Sequence, residues 1–367
     1  MLNSFLPRFL LMCALLPVIP VMLSAAPPLL SPEIDKDGVT FRLDAPQAKE
    51  VQLLGQWSKW EARAMTRDDK GVWSIKETLP AGIWEYSFNV DGLKVLDSLN
   101  PSVKPERHPS TSFVHLAAEP PALWDEQEIP HGVLHTHRYF SKVLGRPREV
   151  VVYTPAGYDP LAKRLPVLYL AHGSGDNERT WTVLGKAHWI ADALIASKRA
   201  KPMIIVMPDA HALPMSGMRF EQYGPVNTAA FVQELRGEVR PLVEKNYHVR
   251  RDAEGRAFAG LSMGGHHAFS IALYHADEFA WVAAFSPAPL SDDESKAALT
   301  APDSVNSHLR YFAVSIGQND FLLPRAEPFV NKLKAAGIKP EWHVTEGDDH
   351  SWPVWRRYLS DLLPRLF

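Results

Sequence analysis

Gly260-Leu261-Ser262-Met263-Gly264 holds a serine between two glycines, with the apolar run Ala257-Phe258-Ala259 before it and the helical stretch Ala268-Phe269-Ser270-Ile271-Ala272-Leu273 after it. A serine on a tight strand-to-helix turn has its hydroxyl lifted at the carboxyl edge of a sheet, and the flanking glycines let that crowded backbone form. A capping serine at a glycine-lined helix start would explain Ser262 but not both glycines. The chemistry is acyl transfer, and a serine hydroxyl is too weak a nucleophile at neutral pH to do it alone. It needs a histidine base, and the histidine needs an acceptor that fixes its tautomer. After a turn of this kind the chain order is serine, then acid, then histidine.

His350, in Gly347-Asp348-Asp349-His350-Ser351-Trp352, falls in a loop between a predicted strand, Trp342-His343-Val344, and a terminal helix beginning near Pro353, where the base belongs. His266 and His267 directly follow the serine turn and ride on the helix behind it, which suits packing or surface roles. The acid is Asp320, in Gly317-Gln318-Asn319-Asp320-Phe321, just beyond the strand-like run at 311–316. Asp348 and Asp349 are sequence neighbours of His350, and an adjacent side chain points the wrong way to accept from its ring; they read as turn formers. The oxyanion of a tetrahedral intermediate calls for two backbone N–H groups. One is that of Met263; the other comes from His172-Gly173-Ser174-Gly175, with Gly173 or Ser174 as donor.

Two kinds of text surround these residues. Between residues 30 and 117 the runs Val39-Thr40-Phe41-Arg42-Leu43, Val51-Gln52-Leu53-Leu54, Val72-Trp73-Ser74-Ile75 and Trp84-Glu85-Tyr86-Ser87-Phe88-Asn89-Val90 alternate with period two, separated by Asp69-Lys70-Gly71, Pro80-Ala81-Gly82 and Asp91-Gly92. Such a pattern predicts a small antiparallel, immunoglobulin-like β-sandwich. Residues 118–130, opening on Glu119-Pro120-Pro121, read as a linker with prolines stiffening an exposed joint. From 131 to 367 the apolar runs are continuous: 150–153, 166–170, 203–207, 257–261, 281–285 and 311–316. These mark strands buried on both faces of a mostly parallel sheet, with helices at 189–196, 231–244 and 326–336 for the crossovers. The fold class is α/β, preceded by an all-β module.

The chain has 367 residues, 46% hydrophobic and 22% charged, with a formal net charge of -3. That composition excludes disorder and collagen-like repeats, and Lys+Arg of 39 against Asp+Glu of 42 offers no basic field for nucleic acid. Residues 1–26 carry Arg8, an apolar run and Ser24-Ala25-Ala26, the form of a secretory signal peptide; the competing reading is an uncleaved anchor. The only cysteine, Cys13, lies in this leader, so the mature chain would have neither disulfide nor thiol nucleophile, would be periplasmic or secreted, and would not be membrane-bound. No cofactor is required for the chemistry, and His135-Thr136-His137 is too small a set to hold a metal.

Along residues 140–367 the text resembles the esterase D family of α/β-hydrolases, which includes feruloyl and acetyl xylan esterases of carbohydrate esterase family one, siderophore esterases and mycolyltransferases. The resemblance is carried by Arg148-Glu149-Val150-Val151-Val152-Tyr153-Thr154-Pro155, Leu170-Ala171-His172-Gly173, Lys201-Pro202-Met203-Ile204-Ile205-Val206-Met207-Pro208, the serine turn, and His350-Ser351-Trp352-Pro353. It implies the same three residues, Ser262, Asp320 and His350; Ser174 stands where the family's glycine-rich loop varies. The first module resembles early-set, immunoglobulin-like modules related to glycogen-binding domains, in Trp73-Ser74, Tyr86-Ser87-Phe88-Asn89-Val90-Asp91-Gly92 and Asp97-Ser98-Leu99-Asn100-Pro101. Trp57, Trp60, Trp73 and Trp84 could form a sugar platform or a core; Trp57 and Trp60 are the least tied to strands. The module could equally shape one wall of the catalytic cleft.

The resemblance implies an exported serine carboxylesterase that removes feruloyl or acetyl groups from plant cell-wall polysaccharide or its oligosaccharides. Trp181 and Trp352, flanking the expected mouth, are candidate contacts for an aromatic or sugar moiety. Alternatives of the same fold are a siderophore trilactone esterase and an acyltransferase with an alcohol in place of water. A non-catalytic glucan-binding protein would lack a member of the triad, and none is missing here. Acyl group and oligomeric state depend on three-dimensional shape.

Overall fold

The structure is a computed structural model that describes residues 28–215 and 217–367, so the apolar leader and Cys13 lie outside the described residues. Nine strands form the first module: β1 (Glu33–Asp35), β2 (Gly38–Asp44), β3 (Val51–Gly55), β4 (Ala62–Ala64), β5 (Thr66–Arg67), β6 (Val72–Glu77), β7 (Gly82–Val90), β8 (Leu93–Val95) and β9 (Ser112–Leu116). They make two antiparallel sheets, β1-β2-β6-β5 and β4-β3-β7-β8, with β9 also paired to β7. Alternation decides which face turns inward. Val39, Phe41 and Leu43 of β2 and Val51 and Leu53 of β3 are buried against Tyr86 and Phe88 of β7. Of the strands that the sequence pattern leaves out, β1, β4, β5 and β8 are two or three residues long, too short for a period of two to register, and β9 buries three residues in succession and so does not alternate.

Eight more strands build one sheet: β10 (Val133–Ser141), β11 (Arg146–Thr154), β12 (Val167–Ala171), β13 (Ile204–Pro208), β14 (Arg256–Leu261), β15 (Trp281–Phe285), β16 (Tyr311–Gly317) and β17 (Glu341–Thr345). Their order is β10-β11-β13-β12-β14-β15-β16-β17. β10 and β11 form an antiparallel hairpin, β11 pairs antiparallel with β13, and β12 to β17 run parallel. Every residue of β12, β13 and β14 is buried, because helices cover both faces. Val150 and Val152 face one core with Tyr223, Phe231, Phe269 and Phe329; Val151 and Tyr153 face the other with Ile190, Leu194, Trp355 and Leu359. The helix expected from Phe231 begins earlier, at Phe220, and runs through a π turn at Leu235–Val239 to Asn246. Pro225 hides its first turns in the sequence, yet its missing N–H forfeits one backbone bond near the helix start.

Residues 118–130 are exposed at Glu119, Pro120 and Pro121, as expected of a joint, but the segment after them is tied down. Asp125, 2% exposed, accepts the N–H groups of Ala118 and Ala122 at 2.9 and 2.8 Å and pairs with His115 at 2.7 Å. Leu123 and Trp124 then pack on the core beneath the large sheet, which also takes in Ile83 and Phe113 of the sandwich. Arg356 donates to Leu184 O and to Ile83 O at 2.9 and 3.4 Å, joining the two modules through backbone carbonyls. The short segment is thus folded down by one carboxylate and two apolar anchors, and the sandwich and the sheet share a core.

Candidate active site

Ser262 lies between β14 and the helix Met263–Tyr274, with φ 54 and ψ -109. This is a strained conformation for a residue with a side chain. Both glycines of the turn are sterically required. A Cβ at Gly260 would stand 2.4 Å from Gly264 O, and one at Gly264 would stand 2.7 Å from the carbonyl oxygens of Ala171 and His172. The strained turn is held by Ser262 N–H donating to Phe285 O at 2.8 Å and Ala288 N–H donating to Ser262 O at 3.2 Å.

His350 Nδ1 lies 2.8 and 3.0 Å from the two Asp320 oxygens, and its Nε2 lies 3.1 Å from Ser262 Oγ. A carboxylate can only accept, so Nδ1 carries the proton and Nε2 is free to accept from the serine hydroxyl. Asp320 is 3% exposed. Burial pushes its carboxyl up, but the His350 ring, the Leu322 N–H and the Ser286 hydroxyl outweigh it and hold the carboxyl below the usual range. The loops after β16 and β17 are tied to each other, by Gln318 N–H to Thr345 O at 2.9 Å and Asn319 N–H to Asp348 O at 2.8 Å. Those bonds bring residues thirty positions apart into one hydrogen bond. Asp348 pairs with Arg357, and Asp349 accepts from Ser351; neither bonds His350.

Sequence reasoning missed three neighbours of the triad. Ser286, with φ 45, joins Asp320 and accepts from Trp355 Nε1 at 3.1 Å. Trp355 stands edge-on to the His350 ring with centroids 5.0 Å apart, and Phe321, 68% exposed, lies 4.5 Å from it. Only Phe321, adjacent to Asp320, carried a signal in its position. His266 and His267 are buried elsewhere: His266 bonds Glu294 at 3.0 Å and His267 bonds Thr228 at 2.8 Å. His135 and His137 lie on β10 and bond Thr154 and Tyr247.

Met263 opens its helix, so its N–H is among the donors that no helical carbonyl takes up. The loop after β12 passes against the serine. A Cβ at Gly173 would lie 3.3 Å from Ser262 Cβ and 2.6 Å from Leu261 Cδ1. The Gly173 carbonyl accepts from His172 Nδ1 at 2.8 Å, which directs the N–H of the same peptide, that of Ser174, the opposite way. Gly175 N–H donates to His211 Nε2 at 3.0 Å. Burial, with the nearby charges of His172 and Arg107, pushes His211 down to about 3, so it stays a neutral acceptor.

The sandwich reaches this loop. Glu106 bridges to Asp176, Arg107 N–H donates to Gly175 O at 2.8 Å, and Thr180 Oγ1 donates to Pro105 O at 2.6 Å. Lys104 Nζ stands 2.9 Å from Glu106, 3.5 Å from Glu85 and 3.5 Å from Asp176. One ammonium serves three carboxylates, so at Asp176 burial wins and the carboxyl is pushed up to about 6. Beside this cluster a cleft of about 420 Å³ opens, walled by His350 and Trp355 on one side and by Gln56, Lys59 and Trp60 of the sandwich on the other.

The tryptophans need correction. Trp181 is 1% exposed, donates to Ala171 O at 3.0 Å and packs edge-on against Trp352, so it supports the loop from beneath and cannot touch a substrate. Trp352 is 2% exposed; its edge borders the cleft and its Nε1 has no acceptor among the described residues. Trp57, one of the two tryptophans least tied to strands, stacks on Phe41 with centroids 5.4 Å apart, because its short 3-10 turn tips the ring into the sandwich core. Trp60 is 40% exposed.

Comparison with known proteins agrees with this architecture. The family model "Putative esterase" matches residues 141–366, and the model "Glycogen recognition site of AMP-activated protein kinase" matches residues 39–118. An "Endo-1,4-beta-xylanase/feruloyl esterase" of Xylanibacter ruminicola is 31% identical over 344 residues, which cover 92% of this chain and 46% of that protein. The chain thus spans less than half of that relative's length. A solved ferulic acid esterase is 30% identical with a TM-score of 0.54, covering 64% of this chain and 97% of the other. The enterobactin esterase of Shigella flexneri shares the fold over both modules, with a TM-score of 0.65, 18% identity, and coverage of 89% of this chain and 92% of the other.

Proposed function

This chain belongs to that esterase family, and we propose that it is an exported serine carboxylesterase that hydrolyses feruloyl or acetyl esters on plant cell-wall polysaccharide or its oligosaccharides. One observation carries the reading: an unbroken line of hydrogen bonds runs from a buried carboxylate through His350 to Ser262 Oγ on its strained turn. In the reaction Ser262 Oγ attacks the ester carbonyl while His350 Nε2 takes its proton. Asp320 steadies the imidazolium that forms, and His350 returns the proton to the departing alcohol oxygen. Water then repeats the cycle on the acyl-enzyme. The N–H groups of Met263 and Ser174 receive the oxyanion; the tie of the Gly173 carbonyl to His172 favours Ser174 over Gly173 as second donor. The feruloyl side of the reading is supported by the relative matched across both modules. Export rests on the form of residues 1–26.

Hydrolysis of methyl ferulate and p-nitrophenyl acetate by the mature chain, with Ser262→Ala as blank, tests this. Turnover of both esters, lost in the variant by about 10⁴-fold or more, is the expected result. Turnover of acetate alone narrows the acyl group to a small one, and cleavage of a catecholate trilactone in preference to either favours a siderophore esterase. Equal rates for variant and wild type would overturn the mechanism.

A further inference from the structure

We infer, resting on the esterase reading, that His172 and His211 are positioning residues for the reaction: two neutral imidazoles that clamp the peptides on either side of the Ser174 N–H and aim it at the oxyanion. Neither moves the substrate's protons. Both are 1% exposed, with ring centroids 5.7 Å apart, and each bonds the loop that passes Ser262.

The two rings meet that loop with opposite atoms. His172 Nδ1 lies 2.8 Å from Gly173 O, and a carbonyl can only accept, so Nδ1 carries the proton. Ala210 N–H points at the other ring nitrogen, Nε2, at 2.8 Å, which therefore offers a lone pair. His211 is turned the other way. Its Nε2 accepts from Gly175 N–H at 3.0 Å, and its Nδ1 donates to Tyr223 Oη at 2.6 Å. The Tyr223 hydroxyl has acceptors of its own in Leu213 O and Asn227 Oδ1, both at 2.9 Å, so it can take that proton's bond. A neutral imidazole supplies one donor and one acceptor on a rigid ring, which is what each position uses. Asp209 Oδ1 also stands 3.3 Å from His172 Nε2, but it is already engaged by His211 N–H at 2.9 Å. Burial lowers the His172 pKa and the Asp209 carboxylate raises it, with a net rise, so a proton gained in acid would enter at Nε2 and turn the Ala210 N–H away.

Successive peptides of the loop are thus held. The Gly173–Ser174 peptide is fixed by its carbonyl, the Ser174–Gly175 peptide by its N–H, and the Gly175 carbonyl by Arg107 N–H at 2.8 Å. Ser174 N–H lies among these bonds and has no acceptor among the described residues. Because a trans peptide directs its N–H opposite to its C=O, the His172 bond sets the direction of that donor. It also polarises the peptide, since a hydrogen bond given to the carbonyl oxygen strengthens the N–H at the other end. The rings stand on a fixed base: Arg148 donates to Asp209 O and His211 O, and Asn227 Nδ2 donates to Ala210 O at 3.0 Å.

The test compares turnover of p-nitrophenyl acetate at about pH 8.5, above the ordinary imidazole range, in wild type, His172→Leu, His211→Leu, His211→Gln and Tyr223→Phe. Inhibition by a trifluoromethyl ketone is measured alongside. Ser262 Oγ adds to the ketone carbon, His350 takes the hydroxyl proton, and the ketone oxygen becomes an oxyanion in the same hole. Each leucine variant should lower kcat about tenfold with KM within about twofold, and should weaken the ketone by the factor by which kcat/KM falls. His211→Gln, whose Oε1 can accept from Gly175 N–H, should recover most of both. Tyr223→Phe leaves the His211 ring in place and removes only the partner that fixes its tautomer, so a fall of about threefold in both is expected, and it keeps the test decisive where a leucine variant fails to fold. Ketone affinity within about twofold of wild type in Tyr223→Phe and in the folded leucine variants would overturn the clamp, whatever happens to KM. A wild type that neither cleaves the ester nor binds the ketone would instead refute the esterase reading.

Discussion

Lys104→Met should weaken the protein in a pH-dependent way and slow its chemistry. Lys104 has only 13% of its side chain exposed and is the sole cation within 4 Å of Glu85, Glu106 and Asp176 among the described residues. Removing one partner of a buried ion pair costs about 3–5 kcal/mol where the remaining charge cannot be neutralised. Here it can be, in part. Asp176 is raised from 3.8 to about 6, so the folded chain keeps a proton that the unfolded chain has released, and stability falls as pH rises across that interval. Without Lys104 the Asp176 carboxyl goes up further, and the fall extends to higher pH. At pH 5 Asp176 is protonated in either protein and the variant loses only the pairs with Glu85 and Glu106, about 2 kcal/mol; at pH 8 the loss grows to about 4 kcal/mol. Lys104 itself is held above the ordinary lysine range by these carboxylates, so it is charged at both values and does not blur the comparison. Denaturant midpoints at pH 5 and pH 8 measure the difference. Because Asp176 ends the loop that passes Ser262, kcat should also fall, by about tenfold, below the 10²–10³ lost when an oxyanion donor is removed outright. Lys104→Arg should recover most of it. An equal loss of stability at both pH values, or a raised KM with kcat intact, would refute the coupling of this cluster to the loop.

Two further substitutions bear on the same site. Gly173→Ala puts a Cβ 2.6 Å from Leu261 Cδ1 and 3.3 Å from Ser262 Cβ, so it should cut kcat by about 10²-fold with a much smaller change in KM, measured on p-nitrophenyl acetate. Asp320→Asn removes the acceptor that fixes the His350 tautomer and should lower kcat by about 10⁴-fold. Since Asp320 is held below the usual carboxylate range, its contribution to stability is present above about pH 4 and is lost as acid protonates it, so wild type and Asp320→Asn should converge in stability toward low pH.

The three residues of the hydrogen-bonded line were legible because each follows a recognisable strand, Ser262 and Asp320 after continuous apolar runs and His350 after the short edge strand Glu341–Thr345, and parallel strands deliver their carboxyl ends to one edge. Ser262, Asp320 and His350 come after β14, β16 and β17, so strand order alone makes them neighbours. The supporting shell was not legible. Ser286 follows β15 by the same logic, but Ser286-Pro287 carries no motif, and its bond from Trp355 and its place beside Asp320 depend on a φ of 45 that the sequence does not announce. The strap at 104–107 is harder still. It lies some seventy residues before the loop it holds, and a salt-bridged cluster has no periodicity to detect.

Tryptophan shows where the limit falls. Trp57 and Trp60 stand three residues apart in one turn, and Trp181 and Trp352 flank glycine-rich or catalytic loops; nothing in composition or spacing separates a ring that packs from a ring that meets solvent. The separation is made by backbone. The 3-10 turn at Gln56–Ser58 tips Trp57 onto Phe41, and the two left-handed residues after it reverse the chain so that Trp60 faces the cleft. The turn that hides one ring is therefore the device that presents the other. A substitution that relaxes it, such as Lys59→Gly, should leave the sandwich core intact, because glycine adopts that conformation without strain. It should nevertheless loosen Trp60, so the placement of the ring separates from stability at this position and not at Trp57, where the two are bound together by the core.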